Sequence, residues 1–117
     1  MKFVANRSFI VVKPKAPFVK WVNDYEEKDE DRLDEKIIYA NRTIYMIEEI
    51  ETGDEADAEK FVKKHCKEIF SNELFEWLTD LDYYPSDMSF KVFKEWFDYE
   101  YIEMCFDTLK SKVEFDD

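Results

Sequence analysis

Apolar side chains along the chain form short runs whose spacing is strand-like in some segments and helix-like in others. The first run, Ser8–Lys13, is rich in β-branched and aromatic residues and stops at Pro14, which is typical of a strand. Pro17 then suits the first turn of a helix, because the amide hydrogen that proline lacks is not needed there. The apolar residues that follow at helical spacing are Phe18, Trp21, Val22 and Tyr25.

A second strand and a long amphipathic helix are predicted in the middle of the chain. Arg42–Ile50 is β-rich and apolar on both alternations, and a turn around Gly53 follows it. Asp54 is placed to cap the next helix. The single apolar stripe of that helix is formed by Ala58, Phe61, Val62, His65, Cys66 and Ile69. We expect the helix to end at Ser71 or Asn72. A further short helix would then carry Leu74, Trp77, Leu78 and Leu81.

The C-terminal part predicts one more short helix and one more strand. Residues 80 to 87 form a loop, because the residue before Pro85 is biased away from helix. Asp87 is placed to cap a helix, and the apolar side of that helix carries Phe90, Phe93 and Phe97. Tyr99–Asp107 has the composition of a final strand, and we expect residues 108 to 117 to fray.

These elements give the order β-α-β-α-α-α-β within a single compact α+β domain spanning residues 1 to 117. We expect about three strands in one sheet, packed by three to four helices, with residues 26 to 36 as a charged connection. The first two strands are equally compatible with a parallel pairing through a right-handed crossover and with an antiparallel pairing. Apolar residues on both alternations favour a sheet covered on both faces. If the helices leave part of a face uncovered, that part would suit a homodimer interface.

Charge is the compositional feature that most changes this picture. The 117 residues include 29 Asp and Glu against 17 Lys and Arg, which gives a net charge of −12. A small soluble domain usually carries a net charge of about 2 to 8 in magnitude. The negative field opposes direct binding to nucleic acid and to anionic membranes, and it favours encounter with a basic protein. Solubility alone is the competing explanation of the charge.

The sequence predicts a cytoplasmic protein. The apolar run Phe9–Val12 is shorter than the roughly 7 residues of a signal-peptide core, and no run approaches the length of a membrane span. Cys66 and Cys105 are expected to be reduced thiols in a chain with no export signal. We therefore expect a monomer or homodimer in a bacterial-type cytoplasm.

Catalytic and metal-binding patterns are sparse. His65 is the only histidine, which excludes sites that need several. A Cys105–His65 pair is one hypothesis for an enzyme, although no reactive motif flanks either cysteine. The Asp80 loop begins like a calcium loop, but Pro85 and Lys91 replace the required glycine and glutamate. We predict no metal, no cofactor and no identifiable catalytic residue, and scattered carboxylates are the other basis for an enzyme.

A basic stripe lies on the outer face of the long helix of this acidic protein. It consists of Lys60, Lys63, Lys64 and Lys67. A solvated face that pairs with nearby acids is the favoured interpretation, and an anion site is the alternative.

Two segments rich in acids or aromatic rings are the candidate binding surfaces. The charged connection offers a basic protein the acids Asp29, Glu30, Asp31 and Asp34. The hexapeptide WFDYEY supplies the second set, which is Trp96, Asp98, Tyr99, Glu100 and Tyr101. Its rings could hold an alkylammonium or arginine side chain by cation–π contact. Strand alternation places Tyr99 and Tyr101 on one face and Glu100 on the other, and it favours core packing for most of these rings.

The resulting hypothesis is a non-enzymatic interaction or regulatory protein whose acidic surface docks a basic protein partner. In one variant of this hypothesis the acids imitate the phosphates of DNA. The alternative is an enzyme of unrecognised type that uses scattered carboxylates or the Cys105–His65 pair.

Three segments also resemble a family of small acidic bacterial proteins whose activity is not established. They are NRSFIVVKPKAPFVKWV, EIFSNELFEW and FKEWFDYEYIEMCFD. The residues that carry the likeness are Asn6, Arg7, Ser8, Pro14, Lys15, Pro17, Phe18, Trp21, Glu95, Trp96, Phe97, Asp98, Phe106 and Asp107. The resemblance covers most of the chain except the charged connection. It implies a stand-alone bacterial cytoplasmic protein and assigns a role to no residue.

Overall fold

The structure, a computed structural model, describes residues 1 to 25 and 35 to 116. The strands are β1 (Lys2–Phe3), β2 (Arg7–Pro14), β3 (Thr43–Glu48), β4 (Phe97–Ile102) and β5 (Phe106–Asp107). The α-helices are α1 (Ala16–Asp24), α2 (Glu35–Ala40), α3 (Glu55–Phe75) and α4 (Phe90–Trp96), and a short 3₁₀ helix covers Leu81–Tyr83. The predicted α+β class is confirmed. No helix in these two ranges is long and apolar enough to cross a membrane.

Strand β2 is the centre of a three-stranded antiparallel sheet with the order β3-β2-β4. Ile10 of β2 lies opposite Tyr45 of β3 and Tyr101 of β4, so the structure decides for antiparallel pairing. As the central strand, β2 pairs through its backbone with β3 on one edge and with β4 on the other.

The hydrophobic core lies on one face of this sheet. Ile10 and Val12 of β2 are fully buried there against side chains from all four α-helices. The largest of the fully buried rings are Phe18, Phe70, Phe93 and Phe97. On the other face Phe9 is buried outside this core, whereas Ile44 is 65% exposed and Met46 is 50% exposed. The helices therefore leave part of the second face open.

Helix α3 is longer than the sequence pattern suggested. The prediction that it ends at Ser71 or Asn72 is wrong, because the helix continues without a break to Phe75. Its buried stripe also continues, through Phe70 and Leu74, so burial extends the helix past residues that often serve as caps. The side chain of Asn72 donates a hydrogen bond to the Tyr45 hydroxyl at 2.9 Å instead of capping a new helix.

Two further helix predictions need correction. Helix α2 was not predicted, and it includes the last two residues of the predicted charged connection, whose residues 26 to 34 lie outside the described part of the chain. Its single buried residue, Ile38, gives only a weak periodic signal. Helix α4 is capped by Ser89, whose hydroxyl accepts from the Val92 amide at 3.4 Å. Asp87 was the predicted cap, but its carboxylate accepts from the Ser89 amide at 2.9 Å.

The predicted last strand, Tyr99–Asp107, is divided in two. Strand β4 ends at Ile102, and β5 pairs instead with β1, a strand that the sequence did not predict. The two ladders differ in register, because Phe9 lies six positions after Phe3, whereas Phe106 lies only four positions after Ile102. This difference breaks the pairing. The apolar residues after the break are not buried, since Met104 is 55% exposed and Phe106 is 48% exposed.

Candidate functional site

The structure separates the residues of the two predicted binding surfaces. The acidic set, Asp29, Glu30, Asp31 and Asp34, lies outside the described residues. The set within residues 96 to 101 is described, and its members occupy three different environments. One tryptophan lies at the edge of the core, two acids lie on the outer face of the sheet, and two tyrosines lie on its inner face.

Trp96 ends helix α4 and packs against the aromatic core. Its ring centroid lies 5.3 Å from that of Phe70 and 6.4 Å from those of Phe18 and Trp21. Tilted and edge-on contacts at these distances are the usual geometry of packed aromatic rings. The structure therefore gives Trp96 a packing role. Trp96 does not line the surface depression formed by Tyr99 and Tyr101, which is described below.

Asp98 and Glu100 are exposed on the outer face of β4. Their neighbours across the ladder on β2 are Lys13 and Val11. The ammonium group of Lys13 donates to the carboxylate of Glu100 at 3.0 Å. The carboxylate of Glu100 is thus paired on the face opposite to the tyrosine rings.

Tyr99 and Tyr101 line a surface depression of about 480 Å³ between β4 and the first turns of α3. The carboxylates that share it come from the helix, and they are Glu55 and Glu59. Ala56 and Glu100 complete its border. Two aromatic rings and two carboxylates from elements far apart in the sequence therefore meet at one surface site.

The turn before α3 fixes where these helical acids lie. Gly53 has a φ of 67°, a backbone conformation that glycine adopts without strain. Asp54 then caps the helix, since its side chain accepts from the Ala56 amide at 2.9 Å. Glu55 and Glu59 are one helical turn apart, so both carboxylates lie on the same side of α3. Glu55 also lies in the first turn, where the helix dipole favours an acid.

The depression is negative in charge and is lined by two tyrosines. Burial raises the pKa of Tyr99, and the nearby carboxylates of Glu59 and Glu55 raise it further. The hydroxyl oxygen of Tyr101 is buried and has no hydrogen-bond partner among the described residues. Among the residues that the structure describes, no lysine or arginine forms an ion pair with Glu55 or Glu59. The site therefore holds unpaired acceptors beside a polarisable aromatic surface.

The acids from α3 were not among the predicted site residues. The sequence places Glu55 and Glu59 on one helical face, which is the only signal it gives. Their meeting with Tyr99 and Tyr101 depends on the packing of α3 against the inner face of the sheet. That packing is a long-range contact, which helical or strand periodicity does not specify.

The residues of the enzyme hypothesis are not brought together. His65 contacts Glu48, with the imidazole Nε2 2.5 Å from the carboxylate Oε1. No hydrogen bond joins His65 to Cys105 within the described ranges, and the backbone carbonyl of Cys105 accepts from Val4 at 3.0 Å. The thiols of Cys66 and Cys105 are free, and burial raises the pKa of the Cys66 thiol. The hydrogen bonds of the described part of the chain thus place no base next to either thiol.

The other charged features have structural roles. Asp80 caps the 3₁₀ helix, because its side chain accepts from the Asp82 amide at 3.0 Å. Of the basic stripe on α3, Lys60 lies 3.9 Å from Asp57 and Lys64 lies 3.5 Å from Glu48. Within the described ranges, no group of three or more acids, cysteines or histidines could hold a metal ion.

Comparison with known proteins gives no relative. No family model matches the chain, and neither a curated protein nor a solved structure is significantly similar to it. The resemblance to small acidic bacterial proteins therefore stays a prediction.

Proposed function

We propose that this protein is a non-enzymatic interaction protein whose acidic surface docks a basic protein partner. The observation that carries the proposal is the depression where Glu55 and Glu59, which form no ion pair among the described residues, lie beside Tyr99 and Tyr101. In this proposal the depression receives a lysine or arginine side chain of the partner. The alternative of an enzyme has less support, because no hydrogen bond among the described residues joins Cys105 to His65.

The chemistry of the depression matches a cationic side chain in two ways. The carboxylates of Glu55 and Glu59 accept charge-assisted hydrogen bonds, which are about twice as strong as neutral ones. The rings of Tyr99 and Tyr101 attract a cation over their faces, a contact of about 0.5–1 kcal/mol at exposed sites and more when desolvated. An arginine guanidinium uses both, because it is planar and carries several donors.

The charge of the whole chain favours the same class of partner. A net charge of −12 attracts a basic surface from beyond contact distance and accelerates its encounter with the protein. This long-range attraction does not by itself choose an orientation. Specific placement then comes from the depression, where the unpaired acids and the aromatic rings converge.

A peptide titration tests the site against simple charge attraction. The probe is an acetylated tetra-arginine amide, titrated into the full-length chain and followed by calorimetry. We expect the double variant Glu55→Gln with Glu59→Gln to weaken binding by roughly tenfold, the loss of about 1.4 kcal/mol. The matched control is Glu49→Gln with Glu51→Gln, which removes the same charge from two exposed acids outside the depression.

A second variant tests the aromatic part of the site. Tyr101→Leu keeps the net charge and most of the apolar surface but removes the ring, and we expect it to weaken the same peptide several-fold. Binding should also weaken as salt is raised, because screening reduces attraction between exposed charges. Equal losses in the depression variant and in its charge-matched control would refute the proposed site and leave only general attraction.

A further inference from the structure

Strand β3 is an open edge of the three-stranded sheet. The order β3-β2-β4 leaves one side of β3 without a strand neighbour among the described residues. Such an edge presents backbone donors and acceptors that can pair with another extended segment. Strand addition to an edge beside a helix is a recurrent mode of peptide recognition.

A groove of about 650 Å³ runs between this edge and helix α3. Its apolar lining is provided by Met46, Ile47 and Ile69. Its polar lining is provided by Arg7, Tyr45, Glu48, His65, Glu68 and Asn72. The groove thus combines an apolar surface with an adjacent strand edge.

Three contacts hold the walls of the groove in place. Towards one end, the Tyr45 hydroxyl donates to the buried carboxylate of Glu73 at 2.9 Å and accepts from Asn72 at 2.9 Å. At the other end, His65 contacts Glu48 at 2.5 Å. Each contact joins β3 to α3, so the groove exists before anything binds and little ordering is needed to fill it.

The C-terminal residues 108 to 116 have the pattern of a strand but no strand partner. They form neither helix nor strand, and all of them are exposed. Leu109, Val113 and Phe115 are 66%, 59% and 77% exposed and have the same parity along the chain. The alternate positions carry Lys110, Lys112, Glu114 and Asp116. Alternation of this kind is typical of a strand with one buried face.

Charge also matches this segment to the groove. No acid lies between Asp107 and Glu114, and two lysines lie there. The wall of the groove carries Glu48 and Glu68, and the buried Glu73 lies behind it. Lys110 and Lys112 have the opposite parity to the apolar residues, so in an added strand they lie on the sheet face that Glu48 shares with Met46.

We propose that the C-terminal segment of a second copy of this chain adds to β3 as an extra strand and lays Leu109, Val113 and Phe115 in the groove. Within one copy, the C-terminal segment follows β5, and β5 follows β4 in the chain. Strand β4 lies at the edge of the sheet opposite to β3. None of its residues lines the groove. Exchange between two copies would give each groove one segment, as a two-fold dimer requires.

The test is the oligomeric state of the full chain, measured by sedimentation over a range of protein concentrations. We expect a reversible dimer. Val113→Asp should raise its dissociation constant at least roughly tenfold, since a buried apolar residue becomes charged. Thr108→Asp is the matched control, because it adds the same charge at a position of opposite parity and should leave the dimer intact.

A second pair of variants tests the groove itself. Glu68→Arg reverses a charge in the groove lining and should weaken the dimer, whereas Glu95→Arg reverses an exposed charge on α4 and should not. Removal of residues 108 to 117 should give a folded monomer with faster hydrogen exchange at the β3 amides. A chain that is monomeric at all concentrations would overturn the proposal, even if its own segment protected β3. So would a dimer that resists both Val113→Asp and Glu68→Arg.

Discussion

The imidazole Nε2 of His65 lies 2.5 Å from the carboxylate Oε1 of Glu48, and this contact joins α3 to the end of β3. Burial alone would raise the pKa of Glu48, but hydrogen bonds with His65 and with the backbone, together with the attraction of nearby positive charge, outweigh it and the net shift is downward. Lys64 adds to the lowering from 3.5 Å away. A partly exposed glutamate is thus stabilised in its charged form by two neighbours on the helix.

The first prediction concerns the pH dependence that Glu48 contributes. A carboxyl whose pKa is lower in the folded chain stabilises the fold above its ordinary pKa, and the contribution disappears as the pH falls through the folded value. We expect Glu48→Gln to reduce the free energy of unfolding at pH 7 by up to about 1 kcal/mol, the range for surface pairs. The difference from the unsubstituted protein should shrink towards acid pH.

Urea denaturation at a series of pH values measures this difference. Glu49→Gln is the control, because Glu49 is the adjacent exposed acid and has no ion-pair partner within the described ranges. A difference for Glu48→Gln that stays constant from pH 7 to acid pH would contradict the prediction.

The second prediction concerns Glu73, whose side chain is buried at 2% exposure. Burial raises its pKa, although hydrogen bonds from Tyr45 at 2.9 Å and Thr43 at 3.0 Å act in the opposite direction. A raised carboxyl pKa stabilises the fold below the ordinary value of about 4.3, and the contribution is lost as the pH rises through the folded value. Glu73→Gln should therefore gain stability relative to the unsubstituted protein as the pH rises.

Glu73→Ala separates the effect of charge from that of hydrogen bonding. It removes the acceptor of both hydroxyls and should cost about 1–3 kcal/mol relative to Glu73→Gln at neutral pH, because buried donors lose their partner. Both variants are compared by urea denaturation between acid and neutral pH. If Glu73→Gln and the unsubstituted protein keep a constant difference across that range, Glu73 does not titrate as proposed.

The third prediction concerns Phe97 within the hexapeptide WFDYEY. Its ring is 1% exposed and lies 4.9 Å from Phe18, 5.2 Å from Phe93 and 5.3 Å from Phe70. We expect Phe97→Ala to lower the free energy of unfolding by about 3–5 kcal/mol, since it opens a cavity in this aromatic cluster. Leu81→Ala, at a side chain that is 72% exposed, should change it by less than about 0.5 kcal/mol. Chemical denaturation checks both, and similar losses would argue against the aromatic cluster as the centre of the core.

The sequence by itself determined the elements that carry a strong local signal. The β-branched and aromatic run Ser8–Lys13 before Pro14 predicted β2. The stripe that begins at Ala58 predicted α3, because helix geometry imposes a period of 3.6 residues on burial. Residues with weak or interrupted periods gave no such signal. Helix α2 buries only Ile38, and the split after Ile102 follows from a mismatch in the pairing of two distant segments.

The tertiary structure alone decided which of these residues meet. Alternation along β4 was enough to place Tyr99 and Tyr101 on one face of the strand and Glu100 on the other, although Glu100 also borders the depression that the tyrosines line. It could not show that Trp96 joins the core, or that Glu55 and Glu59 supply the carboxylates beside the tyrosines. More than forty residues separate Glu55 from Tyr99, and no local pattern reaches that far. Local backbone geometry fixes the face on which a side chain lies, whereas packing between elements decides what lies opposite that face.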